Sequence, residues 1–324
     1  MAIAIKTARL ALGRAVIDAQ FLADNVIFMN NDIIAVNKPY GLPVHSGPGV
    51  KLCVMDMIDE FAKIKRLNQR PELAHRLDKD CSGILLFTRS ASVANKVAEM
   101  FLNREVSKQY LAVTVGVPSN FQEGEIDIPI GEAKLPGGHR IVTRRDLIGK
   151  SSEVLSAAGF KNATTKFKIL DTNMATCSLL QLEPITGLKQ QIRVHVAEGL
   201  KCPILGDHKF SSDIRQPQVL PLRLLQLLEF QGTKTKADPK AKGRIRQWQR
   251  ALIPLHLHAR RLTLPKLYKG RDIIIKAPLP EYFKETLHML HLHPKGKTLM
   301  TSEQHSEYNK LKQLGKSTKH IVGF

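Results

Sequence analysis

"AHRLDKDCSGILLF", residues 74–87, joins a strong structural signal to a concentrated group of polar side chains. Ile84–Phe87 is an unbroken apolar run leaving a Ser82-Gly83 turn, which reads as a short strand buried in a sheet. Just ahead of it, Asp78 lies between Arg76 and Lys79. A carboxylate near Arg or Lys is most often a surface ion pair contributing little to stability. Here the acid sits on a loop at a strand end, where folds tend to display reactive groups. Neighbouring cations favour the ionised form, so Asp78 is expected to be available at neutral pH as a nucleophile or base.

Upstream, "NVIFMNNDIIAVNKPYGLPVH" (25–45) reads as two short strands broken at Asn30-Asn31-Asp32, then a Pro/Gly loop. "CVMDMIDEFAKIK" (53–65) and "SASVANKVAEMFLNRE" (90–105) carry helical spacing, the second with serine cap candidates. "QYLAVTVGV" (109–117) alternates as a half-buried strand with Tyr110, Ala112 and Thr114 on one side. Residues 132–161 show weak periodicity and are expected to be long loops. "TTKFKIL" and "ATCSLLQLEP" form a strand pair, and Thr186-Gly187 is expected to turn into a helix over Leu188–Glu198. A second irregular region is expected over 211–251, whose Thr233–Arg250 stretch holds seven Lys/Arg against one acid, Asp238. "LHLHARRLTLP" and "RDIIIKAPLP" complete the sheet, and the last forty or so residues read as a frayed polar tail. Strands scattered among helices without regular βαβ alternation indicate an α+β fold.

The 324 residues carry 49 Lys+Arg against 29 Asp+Glu, a formal charge of +20. That surplus disfavours a neutral small-molecule role and favours a polyanionic partner, RNA or DNA before an anionic membrane surface. No apolar run reaches the length of a membrane span. Cys53, Cys81, Cys177 and Cys202 have no metal-ligand spacing and are expected to be buried free thiols. "MAIAIKTARLALGRAV" alternates bases with apolar residues and meets no acid before Asp18, as either an organellar presequence or a first amphipathic helix would. His256-Leu-His258 and the run containing His288, His291 and His293 lack a Cys or acidic cluster, so no metal site is expected.

In order along the chain, "HRLDKDCSGILLF", "KQYLAV" and "TGLKQQIRVH" resemble the defining motifs of the RluA family of RNA pseudouridine synthases. "VNKPYGLPVH" resembles the family's first motif, and "PILGDHKF" and "LHLHARRL" its C-terminal landmarks. The likeness runs from about Asn25 to Pro280. "NKPYGLPVHSGPGV" and "LKCPILGDHKF" are most similar to the animal mitochondrial branch that modifies large-subunit ribosomal RNA. The resemblance implies a catalytic domain over 25–285 built on a central mixed, mainly antiparallel sheet, with helices and loops around it and a cleft on the sheet. Outside the likeness, charge and composition leave a presequence-like extension over 1–24 and a basic tail over 286–324.

By the same resemblance Asp78 is the catalytic aspartate, Tyr110 stacks on the target base and is a catalytic candidate in proton transfer, and Arg193 pairs with the aspartate. Ile192 packs beside the base, and Arg76 enters the space vacated by the flipped nucleotide. His75, Lys79, Lys189 and Gln191 are expected as further substrate contacts. Cys81 stands where the family usually has threonine, and Thr88 where it often has alanine. The implied reaction breaks the N1–C1′ bond of uridine, turns the base and rejoins it at C5. The carboxylate can attack C1′ or C6, or remove a sugar proton, and the sequence leaves these open. The reaction needs no cofactor, and its partners would be RNA and mitochondrial RNA-processing or ribosome-assembly factors in the matrix, the alternative location being the cytoplasm or nucleus. A transfer-RNA or messenger-RNA target is the enzymatic alternative. A non-catalytic RNA-binding assembly factor on the same scaffold is the other.

Overall fold

The computed structural model describes residues 17–119, 122–135, 138–212, 217–229, 253–268 and 270–294. Strand β4 (Ser82–Thr88) is buried at every position. Its side chains alternate between two cores. Leu85 and Phe87 join Ile58 and Phe61 of helix α2 (Ile58–Ile64), whereas Ile84 and Leu86 join Val97 and Met100 of helix α3 (Ala91–Leu102). A strand covered on both faces has no polar face to present, which is why its sequence runs apolar without alternation. Burying four such side chains contributes on the order of 6–12 kcal/mol before entropy is counted.

Around β4 the chain builds ten strands into one sheet among the described residues. β1 (Val26–Met29) and β2 (Ile33–Lys38) lie on one side of it, with the short β3 (Glu72–Leu73) pairing β4 itself. On the other side comes β12 (Leu257–Tyr268), then β5 (Ser107–Val115), β11 (Cys177–Pro184), β10 (Thr164–Asn173) and β6 (Glu123–Asp127). β13 (Arg271–Lys276) folds back on β12. Every pairing is antiparallel except β4 with β12, which touch through Ser82↔His258 and Gly83↔Ala259. The α+β class and the mixed, mainly antiparallel sheet therefore hold. Rather than closing an edge, β12 splices two antiparallel halves, and Gly83 makes the splice possible. It sits at φ +110°, and a Cβ there would drive into the Ala259 backbone.

Four expectations are corrected. Residues 132–161 are not long loops: β7 (Ile130–Leu135), β8 (Gly138–Thr143) and β9 (Phe160–Lys161) form a three-stranded sheet, with helix α4 (Ser152–Ala157) before β9. Its strands bury few residues, chiefly Ile130, Ile141 and Phe160, so little alternation reached the sequence. Within 211–251, helix α6 (Leu222–Glu229) buries Leu224, Leu225 and Leu228. The basic stretch Thr233–Arg250 lies outside the described residues. The segment read as a tail begins inside helix α7 (Glu281–Met289), and Leu287, Met289, Leu290 and Leu292 are buried beside Leu111, Val113 and Leu179. At the other end, helix α1 (Ala19–Asp24), capped by the Asp18 carboxylate on Phe21 N (2.8 Å), buries Ala19, Leu22 and Ala23. The folded unit thus takes in residues assigned to both terminal extensions. The first sixteen residues, on which the presequence reading rests, lie outside the described part.

Candidate active site

The β3–β4 loop is pinned from beneath. Leu77 and Cys81 bracket Asp78 and are both buried, and Cys81 N donates to the Asp78 carbonyl at 3.1 Å, closing a tight turn. Below the turn, Lys38 at the end of β2 is fully buried and donates to the carbonyls of Pro39 (2.9 Å), Leu42 (2.9 Å) and Lys79 (3.0 Å). Burial lowers its pKa to about 8, against the opposing pull of Cys81, Asp80 and Asp78. The Cys81 thiol, its pKa pushed up to about 12 by burial, makes only weak contacts with the carbonyls of Ser82 (3.5 Å) and Leu257 (3.4 Å). A thiol bonds less strongly here than a hydroxyl would. All four cysteines are free and buried.

Opposite the loop, the turn 186–190 sets the start of helix α5 (Gln191–Val194). The helix starts later than the expected Leu188 because Gln190 is left-handed, at φ +56°. Gln191 enforces this: its amide oxygen accepts from Thr186 Oγ1 (2.8 Å) and Leu188 N (3.0 Å), and its nitrogen donates to Thr164 O (2.9 Å) and Thr165 Oγ1 (3.0 Å). A π-helical turn, His195–Gly199, continues α5.

Arg193 projects from α5 towards Asp78, with Nη1 to Oδ2 at 3.7 Å. Its main partner is another acid. Nε and Nη2 form a two-pronged pair with Asp207 at 2.8 Å each, and Asp207 is fully buried. Asp207 Oδ1 also accepts from the backbone of Lys209 and Phe210, at 3.1 Å each, and the Phe210 ring lies 5.3 Å from the guanidinium. Burial works against the Arg193 charge, but the Asp207 hydrogen bonds and charge outweigh it and raise its pKa. The guanidinium is a fixed cation.

Asp78 is the more delicate group. Its side chain is 31% exposed. Burial raises its pKa; Arg193 and Lys38 oppose the rise, while Asp80 and Asp207 add to it. The expectation that nearby cations dominate is therefore corrected: desolvation wins. Tyr110 on β5 faces the same space, and burial, with Cys81 and Asp78 adding to it, raises the pKa of its phenol, which stays protonated.

Asp78, Tyr110, Arg193, Ile192 and Arg76 line one cavity of about 320 Å³, with Leu257 contributing from β12. A family model described as RNA pseudouridylate synthase matches residues 32–198. A human relative, "Pseudouridylate synthase RPUSD4, mitochondrial", is 37% identical over 92% of this chain and 75% of its own length. The chain belongs to the RNA pseudouridylate synthase family. A bovine relative, "Mitochondrial mRNA pseudouridine synthase RPUSD3", is 32% identical over 83% of this chain and 78% of its own. The solved structure of "Human RNA Pseudouridylate Synthase Domain Containing 4" superposes with TM-score 0.67 at 33% identity, covering 85% of this chain and 96% of that one. A second, "Human RNA Pseudouridylate Synthase Domain Containing 1", shares the fold at TM-score 0.57 and 18% identity.

For a pseudouridine synthase, an isomerase acting on RNA, the cavity sorts the sequence candidates. Lys79 and Lys189 do not line it; Lys79 is exposed, and Lys189 reaches Glu132 at 3.8 Å. His75 lines it but accepts from Leu86 N (3.2 Å), and burial brings its pKa down to about 4, so it offers no cation to RNA. Gln191 has both ends of its amide engaged in the turn, whereas its neighbour Gln190 meets the cavity with Oε1 held by Lys209 Nζ at 2.8 Å. Sequence reasoning missed Asp207 and Lys38 as site residues. Both lay in quoted motifs, "PILGDHKF" and "VNKPYGLPVH", and a lone charge closely following an apolar run was the available signal.

Proposed function

We propose that Asp78 is the reacting carboxylate of this pseudouridine synthase and that its substrate is a uridine of mitochondrial large-subunit ribosomal RNA. One observation carries the assignment: among the described residues lining the cavity, Asp78 is the one acid, with a fixed cation behind it. The target base leaves its stack to enter, at a cost of a few kcal/mol. Stacking on the Tyr110 ring returns roughly 1–3 kcal/mol, and Ile192 and Leu257 exclude water from the other side. Arg76, exposed at the rim, fills the gap left in the RNA.

Asp78 then attacks C1′ or C6, or takes a proton from the sugar; each route uses the ionised carboxylate and releases N1 from C1′. After the base turns, C5 bonds to C1′, any Asp78–carbon bond breaks to restore the carboxylate, the C5 proton leaves, and N1 ends protonated. Atoms balance without an external donor. Tyr110, held as the neutral phenol, serves as stacking platform and as candidate relay for the proton lost from C5 and gained at N1, ending protonated as it began. Arg193 favours the ionised carboxylate, opposing the rise in pKa that desolvation causes. The names of the relatives support a mitochondrial setting, as do the motifs nearest the animal mitochondrial branch.

The test is pseudouridine mapping of mitochondrial RNA with the wild-type protein and with Asp78→Asn. Loss of one large-subunit rRNA modification, with RNA affinity held within about threefold, is expected. Turnover retained by Asp78→Asn would remove Asp78 from the chemistry. A site appearing in messenger or transfer RNA would move the target and leave the residue assignment standing.

A further inference from the structure

Next to the catalytic cavity lies a second and larger one, of about 520 Å³. The two share Phe101, Lys108, Thr186, Gly187 and Leu188 in their walls, so they form one continuous trough. The second is walled on one side by the end of α3 and on the other by α4 and β9 of the small sheet. Its described lining holds three cations, Arg104, Lys108 and Lys161, and no acid. None of the three forms an ion pair among the described residues. Lys108 stands at the junction, with its Nζ 3.9 Å from where a Cβ on Gly187 would sit. Burial, and then the charge of Arg104, lower the pKa of that ammonium. Two cations facing one space without an acid are a standing repulsion that an anion would relieve.

We propose that this second cavity holds the nucleotide adjoining the target uridine in the RNA strand, with the phosphate between them held by Arg104 and Lys108. The inference rests on the reading of the first cavity as the uridine pocket. Continuity supplies the path, because a strand whose base enters the first cavity leaves over the shared wall at Lys108. Chemistry supplies the fit. Ser152, Ser156 and Asn162 offer hydrogen-bonding groups for a base edge or ribose, and Ile185 and Leu102, exposed at 37% and 81%, offer apolar surface to a base face. Lys161 is placed for the next phosphate along. Phosphate contacts of this kind set register and affinity, while the reacting cavity does the chemistry. The small sheet thus becomes the second wall of the substrate channel.

The test uses the full chain and an RNA oligonucleotide spanning the mapped target. Arg104→Glu combined with Lys161→Glu alters two exposed side chains outside the reacting cavity. The expected result is a KM for RNA raised about tenfold or more, with the single-turnover rate at saturating RNA within about twofold of wild type. The slope of log affinity against log salt should flatten by about 1.4, at roughly 0.7 per lost phosphate contact. Unchanged KM and salt slope in a folded variant would overturn the inference, as would a lost rate at unchanged KM. A second measurement needs no variant. With 4-thiouridine placed one nucleotide to either side of the target, wild-type protein should crosslink within residues 152–162 from one of the two positions. Crosslinks confined to other segments would also overturn it. Failure of the first-cavity reading would look different: wild-type protein would form no pseudouridine on an RNA that still crosslinks to 152–162.

Discussion

At the scale of single residues, the division of Arg193 between two acids governs how Asp78 titrates. Asp207 holds the guanidinium at 2.8 Å by two bonds, and Asp78 receives what charge remains at 3.7 Å. Removing the cation and removing its buried partner should therefore shift Asp78 in opposite directions. In Arg193→Gln the opposing charge disappears and the carboxyl pKa rises further. In Asp207→Asn a charge that raises it disappears and the pKa falls. With Asp78 reacting as the ionised carboxylate, as proposed, the acid limb of the single-turnover pH profile should move up by about 1–2 units in the first variant and down in the second. Both should lose stability, by about 3–5 kcal/mol, as broken buried pairs do. Shifts in the same direction would show that the charge of Asp207 does not raise the Asp78 pKa. Asp78, Tyr110 and Arg193 were legible because each stands inside a recognisable motif. The Asp207 pairing was not, because a bidentate contact across fourteen positions of chain leaves no periodicity to read.

Elements were most legible where burial imposed a pattern and least where a single backbone conformation decided the outcome. β4 announced itself because both of its faces are covered. The delayed start of α5 did not, since it depends on Gln190 at φ +56° and the four hydrogen bonds of Gln191. The small sheet was hidden by its exposure. Gly83 is the position where element geometry and site meet: it lets β12 close on β4 five residues after Asp78. Gly83→Ala should destabilise the protein by more than about 3 kcal/mol, combining a disfavoured φ with an overlap that only strand separation relieves. Gly149→Ala is the matched control. Its φ is +73° and nothing lies within 4 Å of the added methyl, so it should cost only about 1–2 kcal/mol. Urea unfolding of the pair separates the two effects. Equal losses would mean that the close approach of β12 places no demand on residue 83.

Across the whole molecule, the histidines that hinted at a metal turn out to tie its layers together. His256 and His258 are fully buried on one side of the β12 segment. His256 Nδ1 meets the Pro254 carbonyl at 2.8 Å, and Nε2 meets Thr286 Oγ1 of α7 at 2.9 Å. His258 Nδ1 meets Ser82 Oγ of β4 at 2.9 Å, and Nε2 lies 3.4 Å from the Ala277 carbonyl. Each ring thus donates to a carbonyl and accepts from a hydroxyl, the pattern of neutral imidazole. Burial brings both pKa values from 6.5 down to about 4. The unfolded chain therefore binds protons between those limits that the folded chain refuses. Stability from this source is fully present above pH 6.5 and is lost as pH falls towards 4. The loss is roughly 3 kcal/mol per ring, a large share of the 5–15 kcal/mol typical of a folded protein. Urea midpoints measured between pH 7.5 and 4.5 should fall steeply below about 6.5, with these two rings contributing close to two of the protons taken up on unfolding, beside that of His75, whose pKa burial also brings to about 4. His256→Gln keeps a donor and an acceptor in place and should remove about one of them. A pH dependence unchanged by that substitution would mean that other groups drive acid unfolding and that His256 is charged in the folded protein.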